Sequence, residues 1–493
     1  MSVDDTVFSV LWDKRDDDGL AVVQGQRRVT YGELCQLCVN SAHAIDRTPS
    51  SVVVLMMPSS PDYVAALFAT LGLGRTIYPV SADSTAAELR SALERTGASA
   101  VVTTRRLSDE YVSSLPSGTQ VLVPDDRTKG QEAQPQLFAR ASQGRVYLNT
   151  SGSTSKHKIV ELSQRGLLIN AADWIEIALD PARHGRVLVT LPAATSFTTV
   201  VFVTCVRLGW TIHLPTGMFL LQEVVSTIHR ERITHMISIG SMLNLISSEM
   251  SRLQDPKLDL TSLEFVGIGG NGARADTMRS LMRLFPNAGM SPGYGLTEAT
   301  CMVATIPPRV SRESPELFEE KIGAAGLAFP SQVIRILVDG EYTTLRNVVG
   351  EICLGGPSLM VGYLDQPEVT AETIRDGWLR TGDLGYLDKD GFLYIAGRRK
   401  NIIKSGGYTI YPEEIEQVLS AHPRVKECIV RGVPDEEMDE KVVADVRAED
   451  ADVDTRELRL WCRERLTPYK VPSEFNFVAE LMKTKTEKVK RNV

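Results

Sequence analysis

Through most of the first 320 residues, short β-branched runs alternate with amphipathic stretches, and that rhythm leaves few folds open. SVVVLMM (51–57) is followed by PDYVAALFATLGLG, TIYPVS by TAAELRSALERTG, and ASAVVTT (98–104) comes next. The pattern returns in RVLVTLP, TIHLP, ITHMISIG and LEFVGIGG, separated by helical stretches such as LQEVVSTIHRE. Strand–helix alternation of this kind predicts layers of parallel α/β structure. From about Gly323 the texture changes to short strands with glycine turns, SQVIRILVDG, GEICLGG and GFLYIAG. That predicts a small antiparallel, β-barrel-like unit. After Gly397 the basic GRRKNIIKSGG opens a separate α+β pattern. A chain of 493 residues exceeds one compact core. The expectation is an α/β protein with a large N-terminal domain over 1–397, built of two layered α/β subdomains plus the β unit. A small, mobile α+β domain follows over 398–493.

Composition narrows the function. The net charge of -8 argues against a nucleic-acid partner, which needs a basic field. No stretch approaches the roughly 18 uninterrupted apolar residues of a membrane span. The N-terminus MSVDDTVFSVLWDKRDDD lacks the charged and apolar regions of a secretory signal, and the seven cysteines are scattered. Both features predict a cytoplasmic protein with reduced thiols. Cys35 and Cys38 of CQLC fall on the apolar face of YGELCQLCVNSAHAI, read as a helix, so core packing is expected rather than a metal. Without a secretory signal, the Asn149-Thr150-Ser151 sequon is read as coincidence.

Five segments have the makings of chemistry, two of them, LTPYKVP (466–472) and KTKTEKVKR (483–491), closing the chain. TSGSTSKHK, Thr150 to Lys158, follows an apolar run and offers hydroxyls, a glycine and lysines, as a loop gripping phosphate does. In SPGYGLTEAT (291–300), Tyr294 is able to stack on a purine, Thr297 to donate to phosphate and Glu298 to hold Mg²⁺. Asp383 in RTGDLG reads as an isolated carboxylate in a tight turn, suited to a ribose diol. Taken singly, each has a plain structural reading: a GYG turn, an Asx turn, a solvated lysine-rich tail in KTKTEKVKR.

Together, and in this order, they resemble the adenylate-forming superfamily of acyl- and aryl-CoA synthetases, carrier-loading adenylation domains and luciferases. The resemblance spans essentially the whole chain: VTYGEL, LGLGRTIYPVSADSTAAEL (71–89), TSGST, GYGLTE, GEICLGGPSLMVGYLDQPEVT (350–370), RTGDLG, GRRKNIIKSGG and the terminal lysine segment. It implies ATP and Mg²⁺ as cofactors and a small carboxylic acid as substrate. By the resemblance, Thr150, Ser151, Gly152, Ser153, Thr154 and Lys158 form the loop on the β- and γ-phosphates. Gly269, Gly270 and Asn271 line the adenine pocket, with Tyr294 and Gly295 against the ring. Thr297 contacts the α-phosphate, Glu298 the magnesium, Asp383 the ribose, and Arg398 the ribose or phosphate. Lys488 matches the mobile lysine that bridges the substrate carboxylate and the α-phosphate, making Lys488, Thr297 and Glu298 the catalytic set. Phe197, Thr198, Thr199, Gly293, Cys301 and Met302 align with the acid pocket. Lys400 matches the hinge, and Gly406 and Gly407 the thiol entrance.

Departures from the family pattern carry further expectations. Ser155, His157 and Ile159 stand where a glycine, a proline and another glycine are usual. Serine at 155 costs about 1 kcal/mol where the loop needs a positive φ. The phosphate-touching groups remain, so the loop is expected to work with weakened ATP affinity. Glycine at both 155 and 159 is then expected to lower the KM for ATP without harming turnover. Thr195 replaces a common histidine. Thr198 stands where amino-acid-activating domains carry an aspartate, and a buried ammonium without one costs several kcal/mol. An acid without an α-amino group is therefore expected, either aromatic or modestly aliphatic, or a longer chain in a deeper channel. Lys400 and Ile395 follow the ligase pattern, whereas Glu487 and Asp439 replace glycines. The chain ends shortly after Lys488, so the thiol is expected to come from free coenzyme A or from the phosphopantetheine of a discrete carrier protein. Acyl-CoA ligase is the first reading, a free-standing carrier-loading enzyme the second, and a non-catalytic regulator the third.

Overall fold

The computed structural model describes all residues except 1–5, 105–106, 124–134, 151–157, 218–220, 250–257, 271–272, 406–407, 436–438, 450–452 and 482–493. Three sheets build the large domain. The first has seven strands in the order Gly362–Tyr363, Ile159–Ser163, Arg145–Asn149, Thr76–Val80, Val52–Met56, Ala100–Thr103 and Gln120–Leu122. Its last five strands pair in parallel, and the first two are antiparallel additions. Val52–Met56 is buried at every position, as expected of a strand covered on both faces.

The second sheet has nine strands, centred on the parallel set Leu20–Gln24, Thr211–Leu214, Arg186–Val189, His235–Ile239, Phe265–Gly269 and Gly289–Gly295. Between the layers lie helices such as Pro61–Gly72. Its N-cap Ser60 accepts a hydrogen bond from the Tyr63 N–H, proline starts it, and only Asp62 in it escapes burial. A helix apolar on nearly every side suits a position between two sheets. One continuous core joins side chains of both sheets to those of the third.

The third sheet is antiparallel with six strands, matching the β unit expected from about Gly323. It is not a closed block of sequence. Leu327–Ala328 pairs into the second sheet, and Gly362–Tyr363 leaves to pair with Ile159–Ser163 in the first. A fourth sheet of five strands, from Ile403–Ser405 to Glu474–Phe477, forms the small domain around its own core. The helix Pro412–Ser420 of this domain meets the large one. Arg274 Nη1 donates to the Ser420 carbonyl at 3.4 Å, and a Cβ at Gly397 would come within 2.4 Å of a Glu413 carboxylate oxygen.

Cys35 and Cys38 are both buried on the helix Tyr31–Asp46, as core packing requires. Burial pushes the Cys35 thiol up to about 12, so it stays protonated. No helix among the described residues is long and apolar enough to cross a membrane.

One loop expectation is corrected here. Ile159 does not belong to the phosphate loop: it opens the strand Ile159–Ser163, pairs with Asn149 and is 2% exposed. Its side chain packs in the cluster that holds Val54, Tyr78 and Leu93. Glycine at 159 would therefore empty a core position and weaken the hairpin below the loop. Ile159→Ala is expected to cost about 2–5 kcal/mol in chemical denaturation. A loss below about 1 kcal/mol would return Ile159 to the loop.

Candidate active site

At the open end of the hairpin Arg145–Asn149/Ile159–Ser163, the Thr150 N–H donates to the Lys158 carbonyl at 3.0 Å. Lys158 turns its ammonium over the ring of Tyr363, 4.5 Å from the centroid. Tyr363 is brought there by the short strand Gly362–Tyr363 that pairs with Val160 and Glu161. Its hydroxyl donates to Glu298 Oε1 at 3.0 Å. Burial first, then the Glu298 charge, holds the Tyr363 phenol above its ordinary range, so it remains a donor.

Glu298 sits in the single helical turn Thr297–Ala299, where the strand Gly289–Gly295 doubles back to Met302–Thr305. The reversal is tight. A Cβ at Gly295 would lie 1.8 Å from the Cys301 carbonyl oxygen, and Thr300 adopts φ 71°, held by its hydroxyl on the Ser358 carbonyl. Thr297 and Glu298 are thus left half-buried at the end of a central strand. The Met360 N–H closes the arrangement by donating to the Glu298 carbonyl at 2.8 Å.

Asp383 departs from its expected setting in two ways. TGD is no tight turn but part of the ten-residue strand Trp378–Leu387, bulged where Gly382 takes φ 71°. Nor is the carboxylate isolated. It is 4% exposed, with Tyr294 Oη donating to one oxygen at 2.6 Å and Arg398 Nε meeting the other at 2.8 Å. Arg398 faces it across the sheet as its register partner. Buried Glu351 fixes the bulge by accepting from the Gly382 N–H at 3.1 Å, and it also meets Arg380 at 3.4 Å and Arg399 at 3.3 Å. Burial, then the Asp383 charge, holds the Tyr294 phenol well above its ordinary range.

Of the residues expected to line an acid pocket, Phe197, Thr198 and Thr199 open the helix Ser196–Leu208, capped by Thr195, whose hydroxyl accepts from the Thr198 N–H at 3.1 Å. Phe197 lies so close to the strand Phe265–Gly269 that a Cβ at Gly269 would be 2.4 Å from its ring. Trp174 packs on it with centroids 6.2 Å apart, and Gly270 continues at φ 73°. Thr198 and Thr199 are buried, and their hydroxyls turn back to the Pro192 and Thr195 carbonyls at 2.7 and 2.9 Å. Their polarity is engaged by the helix start. Cys301 and Met302 are buried, and Asn170 bonds both the N–H and the carbonyl of Met302. A Cβ at Gly293 would stand 3.0 Å from the Ala304 carbonyl oxygen.

Two clusters result: Tyr294, Asp383 and Arg398 in one, Lys158, Tyr363 and Glu298 in the other. Lys400 falls in the single turn Arg399–Asn401 that follows Arg398. Ser151, Gly152, Ser153, Thr154, Asn271, Gly406, Gly407 and Lys488 lie outside the described residues. Tyr363, Glu351 and Trp174 were not singled out in sequence. Tyr363 and Glu351 lie within the 350–370 motif segment, where the single aromatic ring, beside a glycine, and an acid directly after a glycine were the available signal.

This geometry accords with the comparisons. A family model described as AMP-binding enzyme matches residues 11–364, and one described as AMP-binding enzyme C-terminal domain matches residues 414–488. The chain is 32% identical over 479 residues to a feruloyl-CoA synthase of Amycolatopsis sp., covering 95% of this chain and 94% of that one. O-succinylbenzoate coenzyme A synthetase from Bacillus subtilis, solved in complex with AMP, superposes at a TM-score of 0.84 with 25% identity, covering 99% and 98% of the two chains. An amide bond synthetase from Marinactinospora thermotolerans superposes at 0.87 with 26% identity, covering 98% of each chain. The chain belongs to the AMP-binding enzyme family, within the adenylate-forming superfamily that its motifs resemble.

The buried Asp383 supplies a test. Tyr294→Phe removes a hydrogen bond to a charged group, worth about 1.5–3 kcal/mol. Equilibrium denaturation is expected to show a loss of that size. A variant as stable as the parent would mean that the Tyr294 hydroxyl does not support Asp383.

Proposed function

We propose that this enzyme is an acid–thiol ligase that activates a carboxylic acid with ATP and passes the acyl group to coenzyme A. The observation that carries the reading is the meeting of Tyr294, Asp383 and Arg398 beside the turn that presents Thr297 and Glu298. Among the described residues each Asp383 oxygen has one protein partner and, as a carboxylate, retains acceptor capacity for a ribose hydroxyl. Glu298 fits a magnesium ion held by one carboxylate plus substrate phosphates: among the described residues only Tyr363 engages its side chain, through one oxygen. No cluster of three or more His, Cys, Asp or Glu among the described residues offers a cage of its own. A bound Mg²⁺ would supply positive charge beside the phosphates.

The chemistry assigned to the chain's residues follows from charge. The carboxylate oxygen of the acid attacks the α-phosphorus, an acyl- or aryl-adenylate forms, and the bond to pyrophosphate breaks. Thr297 and Lys488 stabilise the charge spreading over the α-phosphate, while the 150–158 loop holds the leaving group. A thiol sulfur then attacks the acyl carbon and AMP departs. Lys488 and the Gly406–Gly407 segment both lie in the small domain, here taken as 398–493 and pivoting at Lys400, so one domain serves the two steps in turn. Neutral, buried Thr198 at the pocket, with no carboxylate of its own for an ammonium, favours an acid without an α-amino group. A cytoplasmic site, a biosynthetic role and coenzyme A rather than a carrier protein complete the reading.

The test is a carboxylic-acid panel with ATP, read as pyrophosphate release, with coenzyme A, a phosphopantetheinylated carrier protein or an amine as acceptor. Acid-dependent release and thioester formed only with coenzyme A are expected. Strongest exchange with ordinary α-amino acids would overturn the substrate class, and product formed only with carrier or amine would overturn the acceptor. Lys488→Ala is expected to slow adenylate formation about a hundredfold or more, leaving thiol attack on preformed adenylate nearly intact. Loss of the thioester step alone would refute that assignment.

A further inference from the structure

The segment 360–364 ties two parts of the site that are remote in sequence. Its Val361 and Leu364 N–H groups donate to the Glu161 and Ile159 carbonyls at 2.8 and 2.9 Å, joining it to the strand below the loop. Its Met360 N–H donates to the Glu298 carbonyl at 2.8 Å. The Tyr363 N–H is itself fixed on Thr370 Oγ1 at 2.9 Å. The Tyr363 side chain is thereby held, 7% exposed, with the Lys158 ammonium on its face and the Glu298 carboxylate at its hydroxyl.

Lys158 and Glu298, of opposite charge, both meet the one Tyr363 side chain. An ammonium and a carboxylate free to move would pair with each other, and each would be lost to the substrate. A ring face holds a cation without neutralising it, and a phenol engages one carboxylate oxygen while leaving the second. The geometry points to Tyr363 as a positioning residue that keeps Lys158 and Glu298 apart. The ammonium stays aimed at phosphate, and one Glu298 oxygen is oriented for a divalent cation. This rests on the reading of Glu298 and Lys158 given under the proposed function.

Two substitutions separate the halves of the device. Tyr363→Phe removes one oxygen and keeps the ring, whereas Tyr363→Leu removes both contacts. ATP binding is measured by calorimetry at graded Mg²⁺ and in EDTA, beside thermal melting and acid-dependent pyrophosphate exchange. Tyr363→Phe is expected to raise the Mg²⁺ concentration for half-maximal effect about tenfold, the usual size for loss of a partner behind a metal ligand. Its binding of ATP in EDTA stays at the parent value. Tyr363→Leu weakens binding in EDTA as well, by about threefold or more, because Lys158 loses its platform. Glu298→Gln is the control on the underlying reading. If it leaves the Mg²⁺ dependence unchanged, the assignment of Glu298 falls. If Glu298→Gln shifts that dependence and Tyr363→Phe does not, the role of Tyr363 falls alone. A parallel decline of melting temperature, Mg²⁺ response and EDTA binding in both Tyr363 variants would reduce Tyr363 to a packing residue and overturn the proposal. Tyr363→Phe decides the matter even if Tyr363→Leu does not fold.

Discussion

A carboxylate almost out of water must be surrounded by donors, and the centre of this site depends on how Asp383 meets that demand. A buried charge without partners costs several kcal/mol. Arg398 answers from the neighbouring strand of the same sheet, and Tyr294 from the end of a strand in another. That second bond links the two sheets. The turn of Thr297 and Glu298 follows closely on Tyr294 in the chain. Glu351 repeats the device on the neighbouring strand of the same sheet, gathering Arg380, Arg399 and the Gly382 N–H around one buried acid.

The central strands are buried along most of their length. Several candidate residues stand where strands end: Gly269 and Gly270, Tyr294 and Gly295, Thr150 beyond Asn149. Glycine is required at such ends when backbones cross closely. Gly295 has no room for a methyl group beside the Cys301 carbonyl, and the same reversal pushes Thr300 into a left-handed conformation. Backbone crowding here buys a compact turn that presents two side chains in succession.

Layered parallel sheets were legible in the sequence because the 2.0 and 3.6 periods are local properties, and strands such as Val52–Met56 stand where their β-branched runs predict. Motif order carried the candidate site, down to Tyr294, Glu298, Asp383 and Arg398. What escaped was pairing at a distance. RTGDLG looks like a turn by composition, and only the partners Glu351 and Arg398 make it a bulged strand. Ile159 looks like a loop residue until the hairpin register places it in a core. Tyr363 drew no notice because its importance comes from strands more than a hundred and fifty residues apart in the chain. Thr198 and Thr199 align with pocket positions, yet the sequence could not show that the helix start takes up their hydroxyls.

The excursion of Gly362–Tyr363 into the first sheet also sets an order of assembly. During synthesis the outer edge of Ile159–Ser163 has no neighbour until these two residues leave the ribosome. An open strand edge invites pairing with other chains, and a long wait prolongs that exposure. Until then Glu298 also lacks the tyrosine it meets in the finished protein. This corner of the candidate site is thus completed late, and a nascent chain cut short before Gly362 would carry an uncapped sheet and an unfinished site together.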